Sequence, residues 1–222
     1  MNFLEIAKRI RQECAIAGSG PTTIIGQSGE YLRVVDWMSA AYHDIQAAHI
    51  TWDFLRDDFS FATAAGTADY GVTQHAIADL NEWDTDTLRC YLTANDEMFL
   101  EYIPWEIFRD TWKVGPNRTK SARPSFFSVK PDNSLTFDVV PDAVYTIVGE
   151  YWKRPVAVGT ETDEPVFSAQ YHMAIVWRAL MLFAGYAAEP DKYMLGQDEY
   201  QRMLRRMAAT LLPRIEYSAP LA

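Results

Sequence analysis

An α+β fold follows from three features of this 222-residue chain. Apolar residues recur at helical spacing near both ends, and short alternating runs broken by Pro, Gly, Asp and Asn fill the middle. Neither end is long enough to form a bundle by itself, so the two ends are expected to pack together. The predicted architecture is an antiparallel helical bundle from residues 1–51 and 166–213. A small antiparallel β-sandwich or barrel-like domain is inserted over 52–165, and a tail follows over 214–222.

The first helix opens on Asn2 and Glu5, the spacing of a capping box, and places Phe3, Ile6, Ala7, Ile10 and Cys14 on one face. Gly18-Ser19-Gly20-Pro21 ends it. A second start signal lies at Gln27-Ser28-Gly29-Glu30. Leu32, Val35, Met38, Tyr42 and Ile45 then form a stripe, widened by Val34, Trp37 and Ala41, which predicts burial on more than one side. The helical period ends near His49 and changes from Trp52 onward.

In the middle, Phe59 and Phe61 alternate with polar neighbours, and Ala65-Gly66-Thr67 reads as a turn before Tyr70. Residues 89–92 and 98–103 are short strands. Pro104 suits the first turn of a short helix over 105–112, which Gly115-Pro116-Asn117 breaks. Residues 124–152 predict a three-strand meander. Phe127 and Val129 precede the turn Pro131-Asp132-Asn133-Ser134; Leu135, Phe137 and Val139 follow, then Pro141-Asp142, then Tyr145, Ile147, Gly149 and Tyr151.

An acidic connector over 159–165 leads to Ser168, a candidate N-cap. The helix after it carries Tyr171, Ile175, Leu182 and Phe183 on one side and Met173, Val176, Trp177, Leu180 and Met181 on others. A helix apolar nearly all round belongs at the centre of a bundle or against another subunit. Glu189-Pro190-Asp191 makes a corner. The last helix uses Tyr193, Gln197, Tyr200, Leu204, Met207 and Leu211, with Arg202, Arg205 and Arg206 facing away, and Pro213 stops it.

With 49% apolar residues the chain can build a real core, and its seven Trp, twelve Tyr and eleven Phe supply anchors for contacts between proteins as well. The net charge of −10 is concentrated: residues 51–150 carry eight Lys/Arg against seventeen Asp/Glu, while both ends are nearly balanced. A protein that reads nucleic-acid sequence needs the opposite sign on its contact face, so that class is excluded. Cys14 and Cys90 form no metal or disulfide pattern and predict reduced, buried thiols. The N-terminus lacks the apolar stretch of a signal peptide, and no run reaches the ~18 apolar residues of a membrane span, so a soluble protein made in the cytoplasm is expected.

Chemistry was sought in several places. His43 and His49 are six apart, which does not align a metal pair on a helix, and His75 and His172 stand alone; surface or capping roles are expected for all four. There is no GxSxG motif. The run Glu82-Trp83-Asp84-Thr85-Asp86 reads as a solvated acidic loop rather than a glycosidase pair or cation site. No catalytic residue, metal ligand or cofactor is assigned, and an assembly component is expected rather than an enzyme.

Several stretches together resemble a phage head-to-tail adaptor, the connector family that includes the tail tubular protein A of short-tailed phages. They are MNFLEIAKRIRQECAIAGSGPTT, GEYLRVVDWMSAAYHDIQ with WDFLRDDFSF, RPSFFSVKPDNSLTF with VPDAVYTIVGEYWKRP, and PVFSAQYHMAIVWRALMLFAGY with EYQRMLRRM. The resemblance spans most of the chain and carries no active-site signature. It implies a structural virion protein in the neck between capsid and tail: a ring, typically of twelve subunits, docked on the portal protein and contacting the next tail or nozzle protein. DNA would pass through its channel without sequence-specific binding. Trp37, Trp177 and Met181 are the candidate subunit-interface residues, and Ile215, Tyr217 and Leu221 the candidate anchors of a portal-docking tail. The alternatives are a neck or head-completion protein of a long-tailed phage and, in a different class, a carbohydrate-binding or glycan-hydrolysing module.

Overall fold

The structure, a computed structural model, describes residues 1–213. In chain order, α1 (Phe3–Glu13) and α2 (Gly29–Ala47) come first. They are followed by β1 (Arg56–Ala62), β2 (Asp69–Tyr70), α3 (Val72–His75), β3 (Leu80–Trp83), β4 (Arg89–Tyr91), β5 (Met98–Phe99), β6 (Glu101–Tyr102) and α4 (Trp105–Trp112). Then come β7 (Ser121–Ala122), β8 (Phe126–Val129), β9 (Leu135–Phe137), β10 (Val140–Pro141) and β11 (Thr146–Lys153), and finally α5 (Met173–Ala187) and α6 (Pro190–Leu211). The chain divides into two compact units: Met1–Leu55 with the chain from Pro155 onward, and Arg56–Arg154. The α+β class predicted from the sequence is the class observed.

In the helical unit the predicted capping box closes α1: the Asn2 side chain accepts from the Glu5 amide at 2.9 Å, and the Glu5 carboxylate accepts from the Asn2 amide at 3.0 Å. The next orphan donors of this helix start, the Phe3 and Leu4 amides, reach the carbonyls of Asp163 and Glu161. The connector is therefore stitched onto α1 rather than trailing free. It is also fixed to α2. Buried Gln46 donates to the Val156 carbonyl at 2.9 Å and accepts from the Val156 amide at 2.8 Å, and the Tyr42 hydroxyl accepts from the Val166 amide.

Both ends of the chain share one interior. Phe3, Ile6, Ala7 and Ile10 of α1 and Val34, Met38, Ala41, Tyr42 and Ile45 of α2 are buried together with Ala174, Ile175, Val176, Ala179 and Leu180 of α5. Each fully buried Ile or Met contributes about 2 kcal/mol by leaving water. Phe3 meets Tyr42 edge-on at 5.2 Å, and Tyr42 lies 5.9 Å from Phe167. Trp52 belongs here too: fully buried, it stacks on Phe54 and donates Nε1–H to the Ile45 carbonyl at 3.0 Å. Leu32, expected in the buried stripe of α2, is instead 43% exposed. Ser168 does not cap a helix; a 3₁₀ turn, Ala169–Tyr171, intervenes before α5.

The β unit has two main sheets around one core. One sheet runs β1-β11-β4-β5, with β3 also on β11; the other runs β2-β9-β8-β6. Phe59, Phe61, Leu88, Cys90, Ile147 and Tyr151 from the first meet Tyr70, Phe127, Leu135 and Phe137 from the second. The predicted meander is corrected. Its first hairpin forms, Phe127 facing Phe137 and Val129 facing Leu135 around a turn with Asn133 at φ +63°. Strand β11, however, does not pair with β9. It crosses to the other sheet and lies between β1 and the β3–β4 side. The chain can cross because β10 pairs in parallel with β7 before the turn at Asp142, so Tyr145, Ile147 and Tyr151 enter the shared core from the opposite layer. The unit is antiparallel apart from β6–β8 and β7–β10, which are parallel.

Candidate subunit interface

The helical unit is organised around α5, whose apolar circumference is absorbed inside the protomer. Helices α1 and α2 cover one side and α6 the other. The approach of α6 depends on Gly196: a Cβ there would lie 3.0 Å from Met181 Cγ and 3.1 Å from the Trp177 carbonyl oxygen. Met181 is accordingly only 6% exposed, and its side chain packs within the unit. Trp177 is half-buried at the same crossing. Trp37, also half-buried, meets Phe183 edge-on at 5.5 Å and tilts against Tyr186 at 5.8 Å. The Arg33 guanidinium lies 4.4 Å above the Tyr186 ring and donates to its hydroxyl. Ile215, Tyr217 and Leu221 lie outside the described residues.

What α6 leaves open is more informative than what it buries. In a helix of 22 residues only Gly196, Tyr200 and Met207 are buried. Tyr193, Met194 and Leu195 are exposed near its start, beside a cleft of about 350 Å³ formed with Ala184, Ala188 and Pro190. Further along, Arg202, Arg205 and Arg206 are exposed, as predicted. Helix α2 likewise shows a face of small and polar residues, Asp36, Ala40, His43 and Ala47. Of the expected interface residues, Met181 is buried within the protomer while Trp37 and Trp177 are half-buried, and the exposed faces of α2 and α6 lie beside them.

The β unit offers a second open surface. Asp58, Ser60, Arg89, Tyr91, Glu97 and Val148 line a cavity of about 590 Å³ on the outer face of the first sheet, where Arg89 pairs with Glu97 at 3.1 Å. The run Glu82–Asp86 is not simply a solvated loop: Asp84 is buried and paired with Arg56 at 2.5 Å, and Arg56 also pairs with Glu150. The histidine expectation is corrected as well. His75 and His172 are buried, and burial pushes both imidazoles below their ordinary value. Burial pushes the Cys14 thiol up to about 12 and raises Cys90, so both stay protonated and inert. Among the described residues, no group of three or more His, Cys, Asp and Glu is placed to hold a metal ion, and no helix is long and apolar enough to cross a membrane.

These two units carry exposed faces and buried, fully protonated thiols, an arrangement suited to contacts between proteins. A family model described as SU10 adaptor protein matches residues 1–222. The chain belongs to the SU10 adaptor protein family. No curated protein matches it. Family membership makes it a bacteriophage virion protein with a structural adaptor role.

Proposed function

We propose that the chain is the repeating subunit of a head-to-tail adaptor ring that docks on the portal and links capsid to tail around the DNA channel, without catalysis. The carrying observation is the family match over the full length, together with a helical unit made jointly by both ends of the chain. A ring of identical subunits needs two different faces on each copy that fit one another, and the helical unit has open faces on both α2 and α6. Within this reading the chain stands alongside the tail tubular protein A adaptors of short-tailed phages. Trp37 and Trp177 sit at the edge of subunit contacts, and Ile215, Tyr217 and Leu221 anchor the tail on the portal. The net charge of −10 fits a channel component that DNA slides past rather than binds.

Electron microscopy of the purified chain, alone and mixed with its portal protein, tests this. Rings of about a dozen copies stacked on the portal are expected. A chain that stays monomeric in both samples overturns the proposal.

A further inference from the structure

The first sheet of the β unit ends in two open edges, and the two match each other. In an antiparallel ladder the N–H and C=O of successive residues turn alternately toward one neighbour and the other. The Thr63 amide donates to the Tyr145 carbonyl at 2.7 Å, so Phe61, Phe59 and Asp57 turn toward β11, and Ala62, Ser60 and Asp58 turn outward. At the far edge the Leu100 amide donates to the Leu88 carbonyl at 2.9 Å, so Met98 turns toward β4, and Glu97 and Phe99 turn outward. Asp58, Ser60, Ala62, Glu97 and Phe99 are all exposed. The Asp58 amide donates to Asp57 Oδ1 at 2.9 Å; the other outward backbone groups have no hydrogen-bond partner among the described residues.

Charged residues, proline or bulges usually guard a strand edge. Strand β1 keeps an unbroken register on β11, and beyond Asp58 it carries none of these guards. On β5, Phe99 is 67% exposed. The faces of the two edges agree as well. Phe59 and Phe61 enter the core, so Asp58, Ser60 and Ala62 stand on the outer face. Cys90 enters the core opposite Met98, so Glu97 and Phe99 stand on the outer face too. The antiparallel pairings β1–β11, β11–β4 and β4–β5 separate the edges, so β5 runs opposite to β1. A second copy held in the same orientation therefore presents its β1 antiparallel to β5, with the outer face continuous. No reversal between copies is required.

Resting on the ring reading above, we propose that β5 of each copy adds to the β1 edge of the next, with Phe99 opposite Ser60 and Glu97 opposite Ala62. The Asp58 amide, already satisfied, lies beyond the added segment. Phe99 then covers the β1 rim of the outer-face cleft, where the small side chains of Ser60 and Ala62 leave it room. The occupant is a second copy because both halves of the joint lie on this chain and agree in direction, face and hydrogen-bonding parity. The contact is heterologous, and repetition with a small rotation and tilted strands closes it as a barrel closes.

Blocking one edge at a time tests it. Ala62→Pro removes an outward N–H that the internal ladder does not use, and Phe99→Asp removes the exposed ring, so both variants should melt like wild type. In size-exclusion chromatography with light scattering, with and without portal protein, each is expected to raise the concentration needed for assembly about tenfold or more. Below that concentration an equimolar mixture should give a dimer and nothing larger, because the first variant keeps an intact β5 edge and the second an intact β1 edge. Independently, Ala62→Cys with Glu97→Cys in one chain should give a ladder of covalently linked copies on mild oxidation. The two sites lie about 14 Å apart within a copy, three strand spacings, and the native thiols are buried. Single variants that assemble like wild type, a mixture without dimer, or an assembled double-cysteine protein without a ladder overturn this joint while the ring stands. Assembly blocked by Ala62→Pro but untouched by Phe99→Asp gives the β1 edge to another strand and overturns β5 as its occupant. A wild-type chain monomeric with and without portal overturns the ring reading, and this joint with it.

Discussion

Gly196 and Met181 touch so closely that α5 and α6 can cross only where one of them has no side chain. A Cβ on Gly196 would stand 3.0 Å from Met181 Cγ and 3.4 Å from the Met181 amide nitrogen. Helix α6 meets the rest of its unit chiefly through α5, so this crossing positions every outward residue of α6.

Gly196→Val is therefore expected to destabilise the helical unit by about 2 kcal/mol, because a branched side chain must push the helices apart. Urea denaturation followed by circular dichroism measures it. An unchanged midpoint would show that α6 tolerates a wider crossing.

Gln46 is 1% exposed and serves both polar groups of Val156. Gln46→Leu keeps the volume roughly constant but removes both side-chain hydrogen bonds to the partly exposed Val156 backbone, at an expected cost of about 1 kcal/mol. Limited proteolysis is the sharper readout. Cleavage over 155–165 should accelerate in the variant well before global unfolding, and equal cleavage of both proteins would mean the connector is held elsewhere.

Stability should decline toward mild acid. The His75 ring is buried between Phe61 and Trp83, and its Nδ1 accepts from the Ile77 amide at 3.2 Å. The His172 Nε2 donates to the Phe167 carbonyl at 3.0 Å. Burial lowers both imidazoles, so the folded protein takes up these protons less readily than the unfolded chain, whose value is 6.5. A depressed folded value means the contribution is complete above that pH and is lost as the pH falls below it. The urea midpoint should thus be lower at about pH 5.5 than at about pH 7.5, and His75→Gln should reduce the difference. A flat profile between those values would contradict the buried, neutral state of both rings.

The helical half of the fold was legible because its signals are local. The Asn2–Glu5 box and the Glu189–Pro190 corner each act within a few residues and appear where the sequence places them, whereas α1 ends at Glu13, ahead of the expected Gly18–Pro21 stop, with Ala15 at φ +57°. The sheet partition was hidden because it is set by partners far apart in sequence. Tyr151 faces Asp57 on one side and Trp83 on the other, and no alternation within 146–153 announces that. Strands β2, β5, β6, β7 and β10 are two residues long, too short for any period to register. The burial of Met181, one of the expected interface residues, was hidden in the same way, since it depends on the close approach of α6 at Gly196.

The first and last strands of the inserted unit are paired with each other, Arg56 opposite Trp152 through Ala62 opposite Thr146. The polypeptide consequently departs from and rejoins the helices at two points about 5 Å apart across a ladder. Such a doorway is narrow enough for a short turn to span. A lineage could shorten, enlarge or exchange everything between those strands, retuning what the virion presents at its neck, while the helices on either side of the splice keep their own packing.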